Sequence, residues 1–195
     1  MKPYVESFIR HRGQDCLVVD SQKRTKISLH NPSRAVRDVL AKDAFFEGLV
    51  PTESGIVPGD LLEINNGLFL VRSVRYEFAS EHLLIQVSQI NAMLTIKRRT
   101  EKVPDDDPYS GRVEVEWTTV ETDVPATAEG VINLIKETNA GLLDGTAIIM
   151  WVSAKHDIKV MDHIYVGGMI YRVDGIDNLS LPGILHIRTT VARGV

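Results

Sequence analysis

Pro58-Gly59-Asp60-Leu61-Leu62-Glu63-Ile64-Asn65-Asn66-Gly67-Leu68-Phe69-Leu70-Val71-Arg72-Ser73-Val74 reads as two short strands around a tight turn. Asn and Gly tolerate the positive φ of a two-residue hairpin turn, so Asn65-Asn66-Gly67 marks the reversal. The pattern returns 102 positions later without a gap, and residues 56–92 and 158–194 fall into phase. Ile56 meets Ile158, Asp60 meets Asp162, Ile64 meets Val166 and Phe69 meets Tyr171. Val71 meets Val173, Val74 meets Ile176, Leu83 meets Leu185 and Ile85 meets Ile187. A fixed offset over this length points to an internal repeat, and a repeat decides the architecture before any single element does.

The elements around the repeat follow from periodicity. In the first copy, Asp60–Ile64, Leu68–Val74 and Leu83–Ile90 are strands, with Leu83, Ile85 and Val87 on one face. In the second, His163–Val166, Met169–Val173 and Ile184–Thr190 are strands, with Gly167-Gly168 as the turn and Asn178–Gly183 as a loop. Asn31 and Pro32 suit the start of a helix carrying Val36, Val39 and Leu40. Pro125 opens a similar helix with Val131, Ile132, Leu134 and Ile135, ending near Asn139-Ala140-Gly141. Further strands are expected at Cys16–Val19, Ala44–Val50, Arg112–Val120 and Ala147–Val152.

The expected fold class is mainly β with one short helix per half (α+β). It consists of two similar small antiparallel barrels or sandwiches, since many short strands with Gly, Pro and Asn turns favour that architecture. The expected boundaries are a first domain at 1–101, a linker at 102–108 and a second domain at 109–195. The linker reading rests on two prolines and three adjacent aspartates in Lys102-Val103-Pro104-Asp105-Asp106-Asp107-Pro108, which pair poorly in a sheet. Those aspartates lack the spacing and glycine of a calcium loop.

Composition excludes several classes. The hydrophobic fraction of 44% and charged fraction of 25% are those of an ordinary soluble domain. No apolar run approaches the roughly 20 residues of a membrane helix, and the N-terminus lacks an apolar signal core, so secretion is not expected. The single Cys16 excludes an internal disulfide, fits a reducing compartment and reads as a small buried apolar residue. The net charge of −4 divides into +3 over residues 1–100 and −7 over residues 101–195, which does not indicate a basic nucleic-acid face. Lys97-Arg98-Arg99 reads as a solvated strand end or linker.

No motif for chemistry stands out. The chain has no G-x-x-x-x-G-K-[ST], no G-x-G-x-x-G after a strand, no G-x-S-x-G and no H-E-x-x-H. His156, Asp157, Asp162 and His163 are the nearest to a metal set, but neighbours on a strand point to opposite faces, so they read as turn and edge residues. Asp60 and Asp162 each follow a turn, where aspartate commonly binds backbone N–H groups, and a structural role is expected. Trp117 and Trp151 lie in apolar strands and read as core. Phe69 and Tyr171 read as shared core. Arg72, Arg75, Arg172 and Arg188 read as solvated. The expectation is a structural or binding module, not an enzyme, with no catalytic residue, cofactor or metal.

The hairpin from Pro58 to Val74 resembles a pattern of tailed-phage head-to-tail joining proteins, known as head-closure, stopper or adaptor proteins: G-D, an apolar residue, a glycine turn, then alternating apolar residues. Asp162-His163-Ile164-Tyr165-Val166-Gly167-Gly168-Met169-Ile170-Tyr171-Arg172-Val173 looks like the same hairpin, and Phe8-Ile9-Arg10-His11-Arg12-Gly13 is similar to the N-terminal arm of small neck proteins. The resemblance covers about a third of the chain, and its duplicated length departs from the usual single domain. It implies a structural protein of the virion neck, present in the host cytoplasm during assembly. Such a protein forms a ring of identical copies between the portal or an adaptor and the tail proteins. The ring passes phage DNA through its lumen without sequence-specific binding and helps to retain packaged DNA. No membrane partner is implied. Contacts are expected at Asn65, Asn66, Gly67, Gly167, Gly168, Asn178 and Leu181, because exposed loops on a rigid scaffold carry recognition. The alternatives are a tail-completion or baseplate structural protein, or a tandem small-barrel module that binds peptide or nucleic acid.

Overall fold

The computed structural model describes residues 7–9, 11–30, 45–77, 82–102, 114–130 and 147–192. Residues 7–9 and 11–12 are helical, and the Gly13 N–H donates to the Ile9 carbonyl at 2.8 Å where that turn ends. Six strands follow: β1 (Gln14–Val18), β2 (Lys23–His30), β3 (Phe45–Val50), β4 (Leu61–Ile64), β5 (Gly67–Glu77) and β6 (His82–Gln89). They close into a barrel in the order β1-β2-β3-β6-β5-β4. Six more form a second closed barrel: β7 (Ala92–Lys102), β8 (Glu114–Gly130), β9 (Ile148–Ser153), β10 (His163–Val166), β11 (Met169–Asp177) and β12 (Ile184–Val191). Its order, β7-β8-β9-β12-β11-β10, is that of the first barrel with every strand replaced by its counterpart. Closure leaves neither sheet with an open edge.

The repeat holds to the residue. Leu62 pairs with Phe69 in the first barrel, and Ile164 pairs with Tyr171 in the second. The register of β5 against β6 slips between Val71 and Ser73, and that of β11 against β12 slips between Val173 and Gly175, so even the β-bulge recurs at the same offset. Inward positions match in burial as well: Val50 with Val152, Leu62 with Ile164, Val71 with Val173, and Ile85 with Ile187. These residues fill two separate cores, one per barrel, and Cys16 sits in the first. Burial pushes the Cys16 thiol up to about 12, as expected for a small apolar core residue.

The first two strands of each barrel carry different offsets, which hid them in the sequence. Ser28 faces Leu49 and Thr127 faces Trp151, so β2 maps onto β8 with an offset of 99. Val18 faces Leu62 and Ile96 faces Ile164, so β1 maps onto β7 with an offset of 78. The difference, 21 residues, is the extra length of the β7–β8 hairpin. This corrects the expected boundaries. Residues 92–101 belong to the second barrel, because β7 pairs with β8 and β10, and the chain passes between barrels at Ile90 and Asn91. The stretch 102–108 is therefore no interdomain linker. It begins at the end of β7 and leads to β8, and residues 103–108 themselves lie outside the described residues. Pro125 opens no helix, because it lies in β8 opposite Met93. The expected helices on Val36–Leu40 and Val131–Ile135 fall outside the described residues.

A third apolar cluster joins the barrels. Leu70 of β5 packs with Ile149, Trp151 and Ile184 of the second barrel, and Phe45, Leu61, Ile90 and Leu181 surround them. Phe45 meets Trp151 edge-on at 5.9 Å, and His186 stacks on Trp151 at 5.5 Å. The Arg72 guanidinium lies 4.7 Å from both the Phe45 and Trp151 ring centres, a cation–π contact with each ring. Ser88 and Thr127 share a buried hydroxyl hydrogen bond of 2.9 Å across the seam. Gly59 and Gly183 meet backbone to backbone there: a Cβ on Gly59 would strike the Gly183 carbonyl, and one on Gly183 would strike that of Pro58. Arg72 and Trp151, read from the sequence as solvated and as barrel core, both belong to this seam.

The matched burial of Phe69 and Tyr171 gives a test. Phe69→Ala and Tyr171→Ala are each expected to cost roughly 3–5 kcal/mol in denaturant unfolding, against about 0.5 kcal/mol or less for exposed Glu63→Ala. Small, equal losses at all three positions would contradict the core assignment.

Candidate functional site

Two equivalent acidic turns support the strands that form each hairpin. Asp60 accepts the Val57 N–H at 3.0 Å, and Asp162 accepts the Lys159 N–H at 2.8 Å. Their backbones are tied alike: the Val71 N–H donates to the Asp60 carbonyl and the Val173 N–H to that of Asp162, both at 2.9 Å. Both side chains are buried, and they lie in different barrels, so they are caps rather than a catalytic pair. The residue before each has positive φ, Gly59 at 92° and Met161 at 75°. Glycine takes that conformation freely, and methionine takes it under strain.

The cations that answer these acids differ, and the sequence did not show them. Arg98 binds Asp162 through Nε and Nη2 at 2.9 and 2.8 Å, and Asp157 through Nη1 at 2.8 Å. This corrects the reading of Lys97-Arg98-Arg99 as a solvated end. Hydrogen bonds to Asp162 and then Asp157 hold the Arg98 guanidinium well above its usual range, and Arg98 in turn holds Asp157 below the usual carboxylate range. Asp60 instead receives Lys155 from the other barrel at 3.1 Å, and the same ammonium reaches Asp20 at 2.5 Å. Lys97 lies 4.6 Å from the Tyr165 ring centre, and Arg99 pairs with Glu101 at 3.1 Å.

These bonds also anchor the long β7–β8 hairpin. Arg98 ties its first strand to the 157–162 segment, and Glu121 ties its second to His156 at 2.7 Å. Trp117, read as core, lies half-buried on the outside of the barrel and stacks on His163 at 3.7 Å. The His163 Nδ1 is buried with no hydrogen-bond partner among the described residues. Desolvation first, then Arg172, lowers the His163 pKa. Asp157 and Asp162 thus share Arg98, His156 pairs with Glu121 and His163 stacks on Trp117, and no group of three or more metal-ligating side chains occurs among the described residues.

The expected contact turns are mostly exposed and have left-handed backbone conformations. Asn65 and Asn66 have φ of 49° and 64°, and Gly167 and Gly168 have φ of 57° and 78°, the positive pair that matches the strand twist in a hairpin. Asn65, Asn66, Gly167 and Gly168 are exposed, and Gly67 is half-buried against the Phe69 ring. Asn65 borders two open depressions of about 510 and 430 Å³ on the first barrel. Asn178 is exposed beside Leu179, which is 86% exposed and held by the Asp177 carboxylate through the N–H groups of Leu179 and Ser180. Bonds from Ser180 bring the Asp177 pKa down to about 2. Leu181 turns inward and packs on the seam between the barrels. Leu179, which sequence reading passed over, is the exposed apolar tip of that loop.

No protein-family model matches the chain, and no curated protein matches it. Among solved structures, the solution structure of protein SF1141 from Shigella flexneri 2a is similar, with 18% identity and a TM-score of 0.44. The match covers 54% of this chain and 96% of that one.

Two predictions follow from the anchors and the buried imidazoles. Arg98→Ala strands a buried carboxylate and is expected to cost roughly 2–4 kcal/mol, whereas Lys155→Ala, whose ammonium is half in water, costs about 1 kcal/mol or less. Equal losses in urea unfolding would contradict the asymmetry. Burial lowers the pKa of both His163 and His186, so the folded chain favours their neutral forms while unfolded histidine takes a proton near 6.5. Their stabilising contribution is complete above about pH 6.5 and is lost as pH falls through the lower folded values. The unfolding midpoint is expected to fall between pH 7.5 and 5.5, and to fall less in His186→Phe. An unchanged midpoint would refute this.

Proposed function

We propose that the chain is a non-enzymatic structural component of a tailed-phage neck, forming a ring that joins the portal side of the head to the tail and helps to retain packaged DNA. The observation that carries the reading is the tandem of two similar small barrels of the same strand order, joined by the Phe45–Arg72–Trp151 seam and presenting exposed turns. A pair of barrels joined in this way suits a ring, because heterologous contacts between copies close when the rotation per subunit divides the circle. The hairpin motif at Pro58–Val74 and again at Asp162–Val173 resembles that of head-to-tail joining proteins and supports the same reading. In this reading Asn65-Asn66-Gly67, Gly167-Gly168 and the Asn178–Leu179 tip contact portal-side and tail-side partners.

A second reading draws on the outer face of the second barrel. Lys97, Arg172 and Arg99 lie there with Trp117 and Tyr165, a mixture of cations and rings that suits a polyanion. A tandem-barrel nucleic-acid binder would show affinity that falls steeply with salt.

Removing the chain from the phage is expected to leave heads that package DNA but fail to retain it or to join tails, seen by electron microscopy and an infectivity assay. Infectious particles of normal yield without it would overturn the neck reading. Salt-sensitive DNA binding by the isolated chain, without assembly, would favour the second.

A further inference from the structure

His186 brings a titratable ring into the seam beside two arginines. Its ring stacks on Trp151 at 5.5 Å between centres, and the Arg72 guanidinium of the first barrel lies 4.7 Å from the centre of the same Trp151 ring. Among the described residues, the charged groups that bear on His186 come from three strands. They are Arg188 on β12 itself, Asp177 opposite it on β11, and Arg72 on β5 across the seam. Glu129 on β8 bears on Arg72. Asp177 is the acid beside His186, but it already accepts the N–H groups of Leu179 and Ser180 and the Ser180 hydroxyl. It is therefore committed to its own loop and is poorly placed to turn toward a proton on the ring.

We propose that the seam is an acid-sensitive hinge: a proton on His186 sets a third cation beside Arg72 and Arg188, and the barrels part about Ile90 and Asn91 while each stays folded. Neutral imidazole stacks on Trp151 at no electrostatic cost. Imidazolium draws on the same ring that already holds the Arg72 guanidinium, and it repels that guanidinium across the seam. The barrels can part without unfolding because their cores are separate and each sheet closes on itself. Ser88–Thr127 and Lys155–Asp60 also cross the seam and contain no histidine, so the response to mild acid falls on His186.

The direction of the response follows from burial. Desolvation first, then Arg188, lowers the His186 pKa in the closed chain, and parting the barrels returns the ring toward water and a value near 6.5. The closed form is therefore fully favoured above about pH 6.5. Below that, each pH unit moves the balance toward the open form by up to about tenfold, until the ring in the closed form also takes its proton. Opening uncovers Leu61, Leu70, Ile149 and Ile184, so acid turns an internal apolar contact into an available one.

A pair of dyes tests it, one on Glu63→Cys in the first barrel and one on Met169→Cys in the second, both exposed positions. Cys16 is buried and takes no dye. In the doubly labelled chain at trace concentration, energy transfer is expected to fall as the pH is lowered, with a midpoint below about 6.5, while the far-ultraviolet circular dichroism stays constant. His186→Phe keeps a ring on Trp151 without a titrating nitrogen, and His186→Gln keeps a polar group there. Both are expected to hold the transfer at its neutral-pH level, whereas His163→Phe, away from the seam, is expected to keep the fall. Constant transfer in the chain with His186 intact would overturn the inference. So would the same fall in both His186 variants, or a fall that comes only with loss of the dichroism signal.

Discussion

The Arg72 guanidinium, set against the rings of both Phe45 and Trp151, is the contact on which the shape of this molecule depends. Each barrel closes on its own core, and only two residues, Ile90 and Asn91, join the last strand of one to the first strand of the other. Nothing in either core fixes how the barrels are oriented. The seam does so by placing a cation against two rings and packing Leu70, Ile149 and Ile184 beside them. Burial lowers the pKa of Arg72 and Glu129 opposes that effect, so the charge is kept in an apolar seam by a nearby carboxylate as well as by the rings.

The two copies have diverged according to which way a side chain points. Inward residues have changed little in kind, because a closed barrel of this size admits only side chains of similar volume. Several outward residues have changed chemistry. Leu61 and Leu70 are covered by the second barrel, and their counterparts His163 and Arg172 are met by Trp117 and by solvent. The acidic turns show the same division. Asp60 and Asp162 keep their backbone bonds, while the cation that reaches each of them comes from a different part of the chain.

Much of the fold was legible in the sequence where the repeat was ungapped. The 102-residue register placed β3 to β6 on β9 to β12, the hairpin turns, the paired aspartates and the matched Phe69 and Tyr171. The opening strands were not legible in this way, because three extra residues between β8 and β9 set β2 at an offset of 99, and the longer β7–β8 hairpin then set β1 at 78. The acidic, proline-bounded stretch looked like a linker because a hairpin end and a domain linker share composition. Period-two patterning also could not tell a barrel interior from a seam or from a stacking contact. That is why Trp151 and Trp117 were assigned to cores and Arg72 to solvent. Of the expected contact residues, Asn65, Asn66, Gly167, Gly168 and Asn178 are exposed, as their turn chemistry favours, and Gly67 is half-buried against Phe69. Leu181 was not, because its burial depends on the neighbouring barrel.

The extended β7–β8 hairpin bears on the order in which the chain folds. The first barrel is complete by Gln89, before any strand of the second has been made, and it closes when Val18 meets Leu62. The second must wait for Ile164 to return to Ile96 around the inserted hairpin, a longer detour. Loop length alone adds only a few tenths of a kcal/mol to that closure. During synthesis, however, the finished first barrel already displays Leu61 and Leu70, and Ile149, Trp151 and Ile184 arrive later to cover them. The N-terminal half thus closes with an apolar side that the C-terminal half of the same chain covers.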